Sequence, residues 1–153
     1  MEKIASFCVD HSKIDEGMYI SRIDDDITTY DIRVIKPNTP PFLECSAVHT
    51  IEHLFATFAR NSRFGSRVVY FGPMGCRTGF YLLTRNLPHV DAIGLTQAAF
   101  EFIDNFGGEI PGCTKEECGN FLEHDLAAAK KYSTKMTRVL KNWSVDLLQY
   151  QTT

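Results

Sequence analysis

The sequence predicts an α+β domain, a mostly antiparallel sheet with helices packed on one face. Three observations carry this. The local patterns follow the order β-β-α-β-β-α-α. The strand-like runs come in two neighbouring pairs, each joined by a connection short enough for antiparallel pairing. Three longer stretches show the apolar spacing of helices. With 153 residues, the chain is long enough for one domain with a substantial core, so residues 1–153 are taken as a single unit.

The first pair comprises the β-rich runs 18–22 and 27–36. Asp24, Asp25 and Asp26 lie between them, and Asp tolerates tight backbone geometry. Prolines at 37, 40 and 41 cannot continue a central strand and make a rigid lead into a helix over about 46–63. Strands are predicted at 66–71, around Val68, Val69, Tyr70 and Phe71, and at 79–84, with a Gly-containing loop between them. A helix over 90–106 ends at Gly107 and Gly108. A loop over 109–119 leads to a final amphipathic helix over roughly 121–141, and 143–150 forms a tail or short helix.

A charged fraction of 23% and a net charge of −3, with no basic cluster beyond Lys130 and Lys131, leave no electrostatic footprint for nucleic acid or an anionic membrane. A small or neutral partner is expected. The first residues lack the apolar core of a signal peptide, and no later run approaches the length of a membrane span. Five cysteines, odd in number and scattered, are expected as free thiols in a cytoplasmic protein.

The informative segment is Ser46–Ser62. With His49 set at zero on a helical wheel, His53 falls near about 40°, Glu52 near 300°, Ala56 near 340° and Arg60 near 20°. These five share one face. Ala47, Ile51, Leu54, Phe55 and Phe58 form an apolar stripe on the other side, which should pack on the sheet. Two His at i and i+4 can reach one metal ion, and Glu52 points into the same space, where it could bind the ion, orient a ligand or carry protons. The alternative is a solvated face holding a Glu–His pair, but such positions more often carry Lys and Glu than two His facing alike.

A catalytic site usually has three protein ligands and one open position. The third ligand must come from elsewhere: His11, His89, His124 or one of the cysteines. Cys76 and Cys118 both lie in Gly-containing loops, and spacing does not separate them. Cys8, Cys45 and Cys113 read most simply as small hydrophobes. His89 at a helix start and His124 within the final helix read as structural.

Five blocks of the chain resemble the S-ribosylhomocysteine lyases, the LuxS family, in order and along nearly the whole length: SFCVDH at Ser6–His11, YDIRVIKPN at Tyr30–Asn38, HTIEHL at His49–Leu54, GPMGCRTGFYL at Gly72–Leu82, and ECGNFLEHDL at Glu117–Leu126. The resemblance implies an α+β fold related to metallopeptidases with the inverted His-x-x-Glu-His motif. It implies one divalent ion per subunit on His49, His53 and Cys118, ordinarily Fe2+ with Zn2+ or Co2+ as substitutes, and a fourth position left open. It makes Cys76 and Glu52 catalytic and places Ser6, His11 and Arg33 in the substrate pocket. It also implies a homodimer with its active sites at the subunit interface. Two places depart from the family pattern: the stretch between His11 and Tyr30 is short, and Tyr70-Phe71-Gly72 stands where the family commonly shows Asp-Ile-Ser.

The implied reaction converts S-ribosylhomocysteine to homocysteine and 4,5-dihydroxy-2,3-pentanedione, the precursor of autoinducer-2. The sugar carbonyl moves from C1 to C2 and then to C3, after which loss of the C4 proton expels the C5 thioether. Cys76 would serve C2 as a thiolate, favoured by the ion and by Arg77, and Glu52 would serve C3 and C4. Two rival readings are a zinc peptidase with Glu101 or Glu109 as third ligand, and a non-enzymatic fold whose metal is closed in by four protein ligands.

Overall fold

A computed structural model describes residues 1–151 of the chain. The elements are α1 (Ala5–Cys8), β1 (Gly17–Asp24), β2 (Ile27–Arg33), α2 (Cys45–Asn61), β3 (Val68–Pro73), β4 (Gly79–Arg85), α3 (His89–Asp104) and α4 (Leu126–Val139). Short 3-10 turns occupy His11–Lys13, Gly65–Arg67 and Val145–Leu148. The four strands form one sheet in the order β1-β2-β4-β3, and every neighbouring pair is antiparallel. The α+β expectation is met. Asp25, with a φ of 50°, turns the chain between β1 and β2, the backbone region that Asp enters more readily than most residues.

Strand alternation divides the residues of β2 between two environments. Tyr30 and Ile32 are fully buried and belong to the core that the helices cover. Asp31 and Arg33 point to the other face, where the chain termini approach them. On the core side, α2 packs against β3, and α3 and α4 pack beside it. The Phe55 ring lies parallel to Phe71 at 3.8 Å between centroids and edge-on to Phe100 at 5.5 Å. Ala47, Ile51, Leu54 and Phe55 are completely buried, and Phe58 is half-buried, so the apolar stripe expected on α2 is the surface that docks.

The final helix begins later than the sequence pattern predicts. Asp125 caps it, its Oδ1 accepting from the Ala128 N–H at 2.9 Å, a role for which Asp is among the best residues. Residues 121–125 therefore belong to the preceding loop. Trp143 donates its Nε1–H to the Met18 carbonyl at 2.9 Å. This carries the C-terminal segment across β1, where Tyr150 stacks on Tyr19 at 5.1 Å.

Candidate metal centre and thiol pocket

Helix α2 presents its polar face to the loop 109–125, and that loop orients each imidazole. His49 Nδ1 donates to the Glu123 carbonyl at 2.9 Å, and His53 Nδ1 donates to the Pro111 carbonyl at 2.8 Å. A carbonyl only accepts, so both Nδ1 atoms carry the proton and both Nε2 atoms keep a lone pair. Cys118 Sγ lies 3.3 Å from His49 Nε2 and 3.9 Å from His53 Nε2. Two ligands around a tetrahedral ion at ordinary Zn–N and Zn–S lengths stand about 3.3–3.6 Å apart. The spacing of the three donors fits one ion.

His124, expected inside the final helix with a structural part, instead stands one residue before its cap and joins this cluster. The donor atoms of His49, His53, Cys118 and His124 all lie within 4.8 Å of one another. The His124 ring stacks on His49 at 4.0 Å and meets His53 at 4.9 Å. Thr50 spends its single hydroxyl proton on the Ser46 carbonyl at 3.0 Å. It therefore accepts from the His124 Nδ1–H at 3.0 Å and from the Asp125 N–H at 2.9 Å. This leaves His124 Nε2 as a lone-pair atom, buried and without a hydrogen-bond partner. Burial, and then the neighbouring His49 and His53, hold the His124 imidazole below its ordinary pKa, which keeps it in the neutral form that can face a cation. An orphaned buried nitrogen beside two converging imidazoles and a thiol is a donor set suited to a divalent ion.

Gly112 holds the loop at a close approach. Its φ is +69°, and a Cβ there would stand 3.2 Å from His53 Nδ1. Gly112→Ala should both strain the left-handed backbone and displace the Pro111 carbonyl that orients His53. We expect a loss of metal affinity of about tenfold or more, the usual size for disturbing a ligand's outer support, measurable by competition against a chelator.

Glu52 sits half-buried one residue from His53. Among the described residues its carboxylate has no hydrogen-bond partner. Arg60, expected on the same face, turns instead to the edge of β3 and donates to the Val69 carbonyl at 3.0 Å.

The remaining predicted residues gather elsewhere. Ser6, His11, Arg33 and Cys76 line one pocket of about 340 Å³ together with Phe7 and Tyr81. His11 follows Asp10 but does not pair with it. Its Nδ1 donates to the Val9 carbonyl at 2.9 Å, while Asp10 caps the turn by accepting from Ser12. Arg33 is buried, with a two-point ion pair to Asp31: Nε to Oδ1 at 3.0 Å and Nη2 to Oδ2 at 2.6 Å. Its Nη1 donates to Thr78 Oγ1 at 2.7 Å. Burial opposes the Arg33 charge, and Asp31 more than offsets this, leaving its pKa above the usual value. Tyr150 donates to Asp31 Oδ2 at 2.7 Å. Burial, with the adjacent Asp31 next, pushes the Tyr150 phenol well above its ordinary value. Three of the five guanidinium N–H groups are thus committed, and two remain for the pocket.

Removing one partner of a buried ion pair strands the other charge. Arg33→Met should lower the free energy of unfolding by about 3–5 kcal/mol, read as a fall in the urea midpoint.

The Cys76 loop is tied to the start of α2. Leu43 N–H donates to the Arg77 carbonyl at 3.0 Å, and Arg77 Nη1 donates back to the Leu43 carbonyl at 3.2 Å. Arg77, expected to support the Cys76 thiolate, therefore sends its charge toward Leu43, and Arg33 is the cation on the pocket side. Within the departure Tyr70-Phe71-Gly72, the first and last residues form one packing unit: a Cβ at Gly72 would stand 2.0 Å from the Tyr70 hydroxyl. Among the other cysteines, Cys8 and Cys45 are exposed rather than buried, and Cys113 donates to the Phe121 carbonyl at 3.4 Å. His89 bonds the Tyr30 hydroxyl at 2.6 Å, in keeping with a structural part.

Fold and site together define an α+β protein with a candidate single-ion centre on one helix and a cysteine-bearing pocket tied to the start of that helix. The family model described as S-Ribosylhomocysteinase (LuxS) matches residues 4–146, and the chain belongs to that family. Proteins named S-ribosylhomocysteine lyase from Borreliella afzelii and Clostridium acetobutylicum are each 46% identical to it, over 98% of this chain and 99% of theirs. One of the same name from Desulfotalea psychrophila is 47% identical over the same shares.

Proposed function

We propose that the protein is a metal-dependent S-ribosylhomocysteine lyase that releases homocysteine and 4,5-dihydroxy-2,3-pentanedione, the autoinducer-2 precursor. The observation that carries this is the convergence of His49, His53 and Cys118 beside Glu52 in a member of this family. His49, His53 and Cys118 hold one divalent ion per subunit, with Fe2+ the physiological choice and Zn2+ or Co2+ serving in its place. When bound, the ion supplies Lewis acidity that polarises the substrate's neighbouring carbonyl and hydroxyl oxygens.

The protein's own groups move the protons. Cys76 as thiolate takes the C2 proton, and the proton returned at C1 leaves a ketone at C2. Glu52 then takes the C3 proton, and protonation at C2 shifts the ketone to C3. Removal of the C4 proton by Glu52 drives electrons into a C4–C5 double bond as the C5–S bond breaks, homocysteine departs with a proton, and the C4 enol left behind takes a proton at C5 and loses its hydroxyl proton to give the dione. Ser6, His11 and Arg33 hold the substrate in the pocket, Arg33 through its two uncommitted N–H groups.

Several features support a homodimer with its sites at the interface. The pocket lining contains no member of the metal cluster. Large apolar side chains also stand exposed beside both parts, Phe7 at 71% next to the pocket and Leu122 at 81% between Cys118 and His124. A second copy covering them would bury both and close the site. Among the described residues no helix is long and apolar enough to cross a membrane, and a small cytoplasmic substrate suits a chain with free thiols and no basic cluster. Residues 1–153 work as one lyase domain.

The test is release of free thiol from S-ribosylhomocysteine by protein loaded with Fe2+ or Co2+. Stoichiometric metal without any homocysteine would sink the reading. His124 favours one second reading, a fold whose metal is closed in by four protein donors. On that reading His124→Ala would lose metal as fully as Cys118→Ala, and the intact protein would show no turnover.

A further inference from the structure

The turn after Cys76 contains a residue to which neither the sequence reading nor the proposed chemistry gives a role. Thr78 is buried at 3% exposure, two residues beyond the thiol. Its carbonyl accepts from both Val34 N–H and Ile35 N–H at 2.9 Å, fixing it against the chain that leaves β2. Its hydroxyl oxygen stands 2.7 Å from Arg33 Nη1 and 3.1 Å from Cys76 Sγ.

Arg33 fixes the direction of one bond of the pair, and a thiolate at Cys76, which has no proton to donate, fixes the other. A guanidinium only donates, so Thr78 Oγ1 accepts from Arg33. The one hydroxyl hydrogen is then free for the sulfur, and 3.1 Å is a short O–H···S distance. We infer that Thr78 is a positioning residue: it receives a hydrogen bond from the buried Arg33 and donates one to Cys76 Sγ, holding the sulfur as an anionic acceptor aimed into the pocket. This rests on the lyase reading for its use in turnover, but the hydrogen bond itself does not.

Rigidity is supplied from behind. Asp31 grips Arg33 at two points, and Tyr150 grips Asp31, so the guanidinium cannot swing to the sulfur or away from Thr78 without breaking a buried ion pair. The other polar groups on the pocket, His11, Ser6 and Tyr81, make no hydrogen bond to the thiol among the described residues. Among the described residues Thr78 is the group that hydrogen-bonds it. A hydrogen bond from a neutral hydroxyl to a charged acceptor is stronger than one to a neutral acceptor, so it favours the reactive form of sulfur.

The experiment compares thiols within one molecule. Metal-loaded protein is treated with limiting iodoacetamide near neutral pH, and the carboxamidomethylation of Cys76 is quantified by mass spectrometry against the exposed Cys8 and Cys45. In the parent protein Cys76 should react faster than both. Thr78→Val, similar in shape but without the hydroxyl, should lower the Cys76-to-Cys45 ratio by about tenfold, and Thr78→Ser should restore it to within about twofold of the parent. Turnover should fall with the ratio in Thr78→Val while metal content holds. An unchanged ratio in Thr78→Val, or an equal loss in Thr78→Ser, would overturn the inference. So would a parent protein in which Cys76 reacts no faster than Cys8 and Cys45, a result that needs no variant to fold. Because alkylation uses no substrate, failure of the parent to release homocysteine would remove the lyase reading and leave the hydrogen-bond assignment standing.

Discussion

Cys118→Ala should leave the protein folded and nearly free of metal. The thiolate is the soft donor of the set and, like His124, comes from outside α2, so its loss leaves two imidazoles of one helix and the flanking His124. Removing the outer support of a ligand costs about 10–100-fold in affinity, and removing a donor outright should exceed that. Metal content after dialysis against a weak chelator gives the answer. Full retention would remove Cys118 from the ligand set and return the peptidase alternative, with a carboxylate third ligand, to consideration. His124→Ala is the paired measurement. If His124 braces His49 from outside, affinity should fall by about 10–100-fold and no further, whereas a fall as large as that of Cys118→Ala would make it a full ligand.

The second large effect separates metal from chemistry. Cys76→Ala and Glu52→Gln should each lower thiol release by at least about 100-fold, the lower range for losing a positioned acid–base group, with metal content unchanged. Neither side chain is a member of the donor cluster. Ketone intermediates should also divide between the variants: Cys76→Ala stalls before the C2 ketone, and Glu52→Gln accumulates it. A variant that turned over normally would lose its assigned role.

The sequence made α2 readable because its two faces differ in chemistry, and periodicity alone separated His49, Glu52 and His53 from the stripe that packs on Phe71 and Phe100. It made the β1–β2 turn readable because Asp suits that backbone. His124 was misplaced because apolar spacing continues backward through Phe121 and Leu122 and hides the start of α4. The signal that could have found it was Asp125, an N-cap residue immediately ahead of Leu126 and Ala128. The alternation of Asp31 and Arg33 along β2 put both on one face, but their burial was not legible, since it depends on Tyr150 arriving from more than a hundred residues away. Nor was Thr78, whose meaning lies in Arg33 being held across the sheet. Short helices such as Ala5–Cys8 carry too few residues for periodicity to register.

His49 and His53 draw their orientation from the carbonyls of Glu123 and Pro111 in loop 109–125, although both belong to a helix that ends at Asn61, and His124 from that loop is held in turn by Thr50 of the helix. Chains emerge from the ribosome N-terminus first, at about 5–20 residues per second. Helix α2 is therefore made several seconds before Pro111, Cys118 and Glu123 exist to complete the centre. During that interval the two histidines are free to tumble, and they offer a passing ion only a weak, unselective grip. Loading of the proposed centre would thus be a late act of biosynthesis, reserved for a chain that has already been made at least as far as Asp125.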